Sequence, residues 1–497
     1  MDYSYKKSGA IFNAHSYWTK QPVEVIQDFI KRYSKEGDIV LDPFCGTGMT
    51  GVAAIMSNRK YLLSDLSPTC IHISKGYCTK LKSVNEKKLL DTALSGVEKY
   101  FETKCPHCGE LQQIDYAVLN DKLEELGETE IERLVFHCKK CKKKISKQPD
   151  SEDLIKHKSE DYKDYYYPDA KFFGQEPQRN YKKGIRKVFQ LYSGRNLSAL
   201  CRLLSNIRSI KDDNARAICL FAFTSIVFNC SLMSRYNPKY ENTQIRMGTF
   251  YIPWKIKDNN VALSYKRKLS AVLKSNAEIF KNNSIYDGKI ILASATDLKG
   301  VDDESVDYIY TDPPYSDKIS YSELNIVYES WLGESYTDVS KEMIVSKSHD
   351  KSIVDYCDMF RQFLREAYRV LKDGANITII FHNSSLQHWK YFQQVIVDSG
   401  FTPVKSDTPD RLISNAKTST QYQSTNISRC FLAFTMRKAG KETISLTRLK
   451  KRQYEDMIHS LRVKANEAGY TTPADQYDYI INSLIYTFEI RDDVSLF

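Results

Sequence analysis

The residues Asp312-Pro313-Pro314-Tyr315 close the apolar run Val306 to Tyr310 and offer one specific chemistry. An exocyclic amine on adenine or cytosine is a poor nucleophile because its lone pair is delocalised into the ring. A carboxylate from Asp312 accepting one N–H, with the Pro313 carbonyl accepting the other, would draw that nitrogen out of conjugation. The prolines hold the peptide plane, and Tyr315 offers a ring face to a base taken out of its stack. The same four residues also suit a plain strand-ending turn, since prolines after an acidic residue are ordinary loop punctuation. A second segment far upstream separates the two readings: Val40-Leu41-Asp42-Pro43-Phe44-Cys45-Gly46-Thr47-Gly48-Met49-Thr50 reads as a strand entering a glycine turn.

A strand, a glycine turn and a helix start put backbone N–H groups together. The loop Asp42 to Gly48 can therefore hold the polar edge of a ligand, with Gly46 and Gly48 allowing close approach. Asp65 lies 23 residues after Asp42 and closes the next strand. From that position an acidic side chain takes both hydroxyls of a ribose. The pair describes a nucleoside pocket.

Cys105-Pro106-His107-Cys108 and Cys138-Lys139-Lys140-Cys141 are two C-x2-C knuckles. Four thiolates delivered in pairs meet the tetrahedral preference of zinc, so Cys105, Cys108, Cys138 and Cys141 are read as a structural zinc site. The lysines around the second knuckle either meet phosphate or form a solvated face.

Around these motifs, apolar runs of strand length occur at Ile39 to Leu41, Tyr61 to Leu63, Lys289 to Leu292, Val306 to Tyr310, Asn376 to Phe381 and Cys430 to Thr435. Helical periodicity falls between them, with Val23, Ile26, Ile30 and Tyr33 on one face and Met359, Phe360, Phe363, Leu364, Ala367, Val370 and Leu371 on another. The alternation predicts an α/β fold with a doubly wound, mostly parallel sheet and ligands at the carboxyl ends of its strands. A large, mainly helical insertion carrying the knuckles interrupts it. The expected division is 1–79 and 287–438 as two halves of one domain, 80–286 as the insertion, and 439–497 as a helical appendage.

The chain has 497 residues, 42% hydrophobic and 27% charged, which is the composition of a globular protein of two or three domains. Its surplus of 72 basic over 62 acidic residues, with 34 tyrosines and 22 phenylalanines, suits a polyanion whose bases can be stacked upon. Met1 to Ala10 lacks the apolar core of a secretory signal, and Ala217 to Met233 is shorter than the roughly 20 residues of a spanning helix. A cytoplasmic protein with no membrane segment is expected, its remaining cysteines behaving as small hydrophobes. The run Tyr162, Tyr165, Tyr166, Tyr167, Phe172 and Phe173, set among lysines and arginines, either stacks on bases or anchors the insertion, and Tyr321, Asn325 and Trp331 behind the tetrapeptide either close over a flipped base or form helix core.

Thr19-Lys20-Gln21-Pro22-Val23-Glu24-Val25-Ile26 and Gly37 to Gly48, together with Ser294-Ala295-Thr296-Asp297-Leu298 and Asp303 to Tyr315, resemble the DNA amino-methyltransferases of the Asp-Pro-Pro-Tyr type. The likeness covers residues near 11 to 78 and 287 to 436. It implies a Rossmann-like methyltransferase domain that binds S-adenosylmethionine. Thr19 and Lys20 would lie at the methionine end, Phe44 beside the sulfonium, Asp65 on the ribose and Asp297 near the adenine, with Asp42, Gly46 and Gly48 forming the loop. For Thr19 and Lys20 a helix cap and an exposed cation are the other reading, and for Asp297 a loop carboxylate. The wording of the motifs is closest to a subgroup in which the catalytic block comes first, whereas here the cofactor block leads.

The function expected is site-specific transfer of a methyl group to adenine N6 of a flipped base in double-stranded DNA, with Asp312, Pro313, Pro314 and Tyr315 as the catalytic group. In that family the cytosine N4 members tend to carry Ser at the first position, so Asp312 favours adenine. Cytosine N4 or RNA base methylation, or an inactive binding subunit, are the alternatives. No cluster of restriction-nuclease carboxylates is evident, so a restriction or defence partner is left open.

Overall fold

Residues of opposite facing along each strand build the architecture of this computed structural model. It describes residues 2–5, 9–82, 85–241, 243–246, 248–281, 287–315, 320–383, 385–404, 410–414, 431–440 and 444–496. In the strand Ile39–Asp42, Val40 and Leu41 are both fully buried but on opposite sides of the sheet. Val40, Tyr308 and Tyr310 share a core with Ile26 and Phe29 of helix Val23–Tyr33 and Val52 of helix Met49–Met56. Leu41 and Ile309 join Phe360 and Phe363 of helix Ile353–Val370 and Phe392 of helix Leu386–Val397. Each fully buried aliphatic side chain contributes about 2 kcal/mol. The sheet is therefore covered on both faces.

The nine-stranded sheet runs in the order Asp2–Tyr5, Asp410–Ser414, Phe431–Lys438, Leu371–Phe381, Val306–Thr311, Ile39–Asp42, Lys60–Asp65 and Gly288–Leu292, with Phe401–Pro403 beside Phe431–Lys438. The five strands from Leu371–Phe381 to Gly288–Leu292 are parallel, and Phe431–Lys438 is reversed. This is the doubly wound, mostly parallel α/β fold expected. All six expected strands are present, although Cys430 itself lies outside the described residues. The chain order reverses between Ile39–Asp42 and Val306–Thr311, and ligands bind at such a switch point.

After helix Pro68–Cys78 the chain leaves the sheet, and it returns at Gly288 beside the strand it left. The intervening segment is helical over Gly194–Arg208, Asp213–Val227 and Val261–Ile279. It also contains a six-stranded antiparallel sheet, ordered Thr243–Gln244, Arg235–Tyr236, Lys255–Asn259, Tyr116–Lys122, Glu128–Cys138 and Lys143–Lys147. A mainly helical insertion carrying the knuckles was expected, and this sheet adds to it. The uncharged stretch from Ala217 lies mostly in the buried helix Asp213–Val227. That helix meets Pro68–Cys78 at Gly76, where an added Cβ would stand 2.2 Å from the Phe221 ring. No described helix is long and apolar enough to cross a membrane.

At the end of the chain, helices Lys451–Glu467 and Pro473–Leu484 bury Tyr454, Ile458, Ile480 and Ile481 in the same core as Phe381 and Trp389.

Candidate functional site

Strand pairing brings the two distant motifs side by side. Val40 pairs with Tyr308 and Leu41 with Ile309, so Asp42 and Asp312 emerge at the carboxyl ends of neighbouring strands. They open into one cleft that is continuous with solvent. Its walls include Thr19, Lys20, Asp42, Phe44, Gly46, Asp65, Asp312 and Pro314 from the expected residues, together with Tyr17, Gln21, Ser67, Tyr321 and Asn325.

The Asp42 carboxylate is a structural anchor as well as a wall. It accepts from Thr50 Oγ1 at 2.6 Å, Thr311 Oγ1 at 2.8 Å and the Phe44 N–H at 3.1 Å, tying the loop to both strands. Burial raises it to about 6. Asp65 accepts from the Gly46 and Ser67 N–H groups, both at 2.9 Å, and burial raises it above the usual carboxylate range. Gly48 lies outside the cleft wall. It has φ 76°, and a Cβ there would stand 2.6 Å from Ser74 Oγ, so it permits the turn to approach helix Pro68–Cys78.

At the other side, Asp312 accepts from Gln21 Nε2 at 2.6 Å, and the Tyr315 hydroxyl donates to its second oxygen. Enclosure raises the Asp312 carboxyl to about 8, the Gln21 hydrogen bond draws it down, and the charge of Asp42 adds to the rise. The Pro314 carbonyl accepts from Tyr356 at 2.7 Å, fixing the tetrapeptide from below. Pro313 and Tyr315 do not form part of the cleft wall. The Tyr315 ring packs against Phe381 and Phe431, both with centroids 5.7 Å away.

Thr19 Oγ1 lies 3.0 Å from the Tyr321 hydroxyl. Lys20 lines the cleft but turns its ammonium inward, donating to the His15 carbonyl at 2.8 Å, the Phe12 carbonyl at 2.5 Å and the Tyr77 hydroxyl at 3.1 Å. Burial, and then the charge of Lys268, lower it to about 7. Asp297 stands apart, pairing with Lys299 at 2.7 Å, while Ser294, Ala295 and Thr296 reach the cleft.

Of the polar floor, sequence reasoning marked Asn325 and missed Trp18, Tyr17, Ser67 and Glu329. Asn325 accepts from Trp18 Nε1 at 2.9 Å and donates to Tyr17 at 3.1 Å and Ser67 at 3.0 Å, and Ser67 donates to Glu329 at 2.8 Å. Gln21 was also missed, although it adjoins Lys20 in the quoted motif. Trp331 is fully buried and donates to Tyr192 at 2.8 Å, so it belongs to the core and not to the cleft.

The four knuckle cysteines converge. Their sulfurs all lie within 4.8 Å of one another, with Cys105 and Cys141 3.9 Å apart and Cys108 and Cys138 3.7 Å apart. The strands Glu102–Lys104 and Leu111–Gln113 carry one knuckle, and Glu128–Cys138 and Lys143–Lys147 the other. Lys140 pairs with Glu110 and Lys144 with Glu241, so part of the basic run is spent on neighbouring acids.

The aromatic run anchors the insertion. Tyr162 and Tyr167 pack on Phe189, Phe172 packs on Phe250, and Tyr166 donates to the Ser330 carbonyl at 2.5 Å. The Gln175 and Glu176 N–H groups donate to Glu323, two residues after Tyr321. The insertion thus grips helix Tyr321–Leu332, one wall of the cleft.

Residues 1–76 match the DNA methylase family N6_N4_Mtase. The orphan methyltransferase M.BamHII of Bacillus amyloliquefaciens is 44% identical over 57 residues, covering 12% of this chain and 19% of the relative. The putative methylase YubD of Escherichia coli (strain K12) is 46% identical over 44 residues, covering 9% and 19%. The chain thus spans about a fifth of the length of these curated relatives. Among solved structures, the rRNA methyltransferase aviRa of Streptomyces viridochromogenes shares 12% identity over 86% of this chain and 90% of its own, with a TM-score of 0.28. TTHA0409, a putative DNA modification methylase of Thermus thermophilus, shares 16% over 33% and 57%, with a TM-score of 0.16. The family match thus covers the segment that carries the Asp42 to Gly48 loop and Asp65.

Proposed function

We propose that this protein transfers a methyl group from S-adenosylmethionine to adenine N6 at a recognised site in double-stranded DNA. The observation that carries this reading is the shared cleft, in which Asp312 faces the Asp42 loop and Asp65 from the adjacent strand. When bound, S-adenosylmethionine supplies the electrophilic methyl group. Asp65 is suited to take ribose hydroxyls, the Asp42 to Gly48 loop to hold the methionine portion with Thr19 and Lys20, and Phe44 to exclude water beside the sulfonium. Asp297 is assigned to the adenine edge through the loop it shares with Ser294 and Thr296. Asp312 and the Pro313 carbonyl accept the two N–H groups of the target amine, Pro314 fixes their spacing, and Tyr315 exchanges its bond to Asp312 for a face against the base.

The same reading divides the chain at 79, 286 and 438, gives the insertion target recognition, and fills the four-thiolate group with zinc. A tetrahedral zinc with Zn–S of about 2.3 Å sets sulfurs roughly 3.8 Å apart, the spacing of the Cys105–Cys141 and Cys108–Cys138 pairs. The described cysteines are free thiols, as a reducing cytoplasm would keep them.

Incubation with labelled S-adenosylmethionine and mixed-sequence DNA, followed by nucleoside mass spectrometry, is expected to yield N6-methyladenine. N4-methylcytosine in its place would overturn the base assignment. Methylated RNA with unmodified DNA would overturn the substrate class.

A further inference from the structure

Gln21 has no part in the motifs quoted for catalysis, yet its side chain joins the two halves of the cleft. Its Nε2 donates to Asp312 Oδ2 at 2.6 Å, and its Oε1 accepts from the Tyr310 hydroxyl at 2.6 Å. Tyr310 is buried in the strand Val306–Thr311, which ends one residue before Asp312, so it is a fixed post. An amide has a donating and an accepting end, and the surrounding network decides which way it faces. An ionised carboxylate only accepts. With Asp312 ionised, the NH₂ end must face it, and Oε1 is left for the tyrosine proton. The residue sits immediately before Pro22 and the helix Val23–Tyr33, so its backbone is held as well.

We propose that Gln21 is a positioning residue for Asp312: its amide, oriented by Tyr310, favours the ionised carboxylate and holds it aimed into the cleft to receive an amine. The proposal rests on the reading of Asp312 as the amine acceptor and adds the relay that prepares it. A hydrogen bond to the charged form favours that form, and Gln21 opposes the rise that enclosure imposes on Asp312. Tyr315 bonds the other oxygen, so the carboxylate has one fixed partner and one that an incoming base can displace.

The test uses the full-length protein in two measurements. Difference infrared spectroscopy of the carboxyl band, identified by its loss in Asp312→Asn, titrates Asp312 without nucleic acid or methyl donor. In Gln21→Ala and the nearly isosteric Gln21→Met, the midpoint is expected about one to two pH units above wild type, as loss of a charge-assisted hydrogen bond implies. Tyr310→Phe, which frees the amide to turn, should give a smaller rise. In steady-state assays the same Gln21 variants should lose about 10- to 100-fold in kcat, their acid limb moving up with the carboxyl, while affinity for S-adenosylmethionine is kept. An unchanged midpoint in folded Gln21→Met, checked by its melting curve, overturns the proposal. A shifted midpoint in a protein that methylates neither DNA nor RNA leaves the Gln21 relay standing and removes the amine-acceptor reading beneath it.

Discussion

Asp312 sets a pH dependence that two separate measurements can read. With its carboxyl raised to about 8, the ionised acceptor is scarce at low pH. The kcat/KM for DNA is therefore expected to rise on the order of 50-fold between pH 6 and 8, measured by methyl incorporation under initial-rate conditions. The effect on stability has the opposite sign. An unfolded aspartate ionises near its ordinary value, so between there and about 8 the folded chain retains a proton that the unfolded chain has released. The contribution of this group is full below the unfolded value and is lost as pH climbs through about 8. Asp312→Asn should accordingly abolish transfer, with S-adenosylmethionine binding kept. It should also melt at a higher temperature than wild type at pH 8, with little difference at pH 4. Gly48→Ala acts by another route: strain at φ 76° and the Ser74 contact should lower stability by at least about 1 kcal/mol, seen in urea unfolding.

Among the elements, the strands Glu102–Lys104 and Leu111–Gln113 of the first knuckle have only Leu111 as a large apolar residue, so the metal is expected to supply much of their order. Metal analysis of the purified protein should find one zinc per chain. Cys105→Ser should release it and expose the insertion to limited proteolysis, while a zinc-free wild type with intact hairpins would contradict the assignment. Elements such as these were legible because spacing alone reports them: C-x2-C pairs, a glycine turn after Val40 and Leu41, and apolar runs ending at Asp65 and Asp312. The insertion's sheet was not legible. In Glu128–Cys138 the alternation of buried and exposed positions breaks at Glu132 and Arg133, opposite the register shift between Val118 and Leu119. The tyrosine run admitted two readings from composition, and only its contacts with Phe189, Phe250 and Ser330 choose core packing. Gln21 escaped notice because its partners stand 289 and 291 positions away.

Across the whole molecule, three regions meet at His349. Its ring lies 3.8 Å from Glu323 Oε1 and 3.6 Å from Glu342 Oε2, with the imidazole 4% exposed. Glu323 holds the insertion through Gln175 and Glu176, while Glu342 holds Ser322 at the cleft. His349→Ala removes an enclosed ring from between two carboxylates that keep their own donors, so the loss is one of packing. It is expected to lower the melting temperature and to weaken S-adenosylmethionine binding in titration calorimetry. The placement of the insertion has a further result for biogenesis. Lys60–Asp65 leaves the ribosome before its sheet neighbour Gly288–Leu292, separated by more than 200 codons. At about 5–20 residues per second, translation holds that edge unpaired for roughly 10–40 s. During this interval the amino-terminal strands depend on the helices around them, or on a chaperone, to stay soluble.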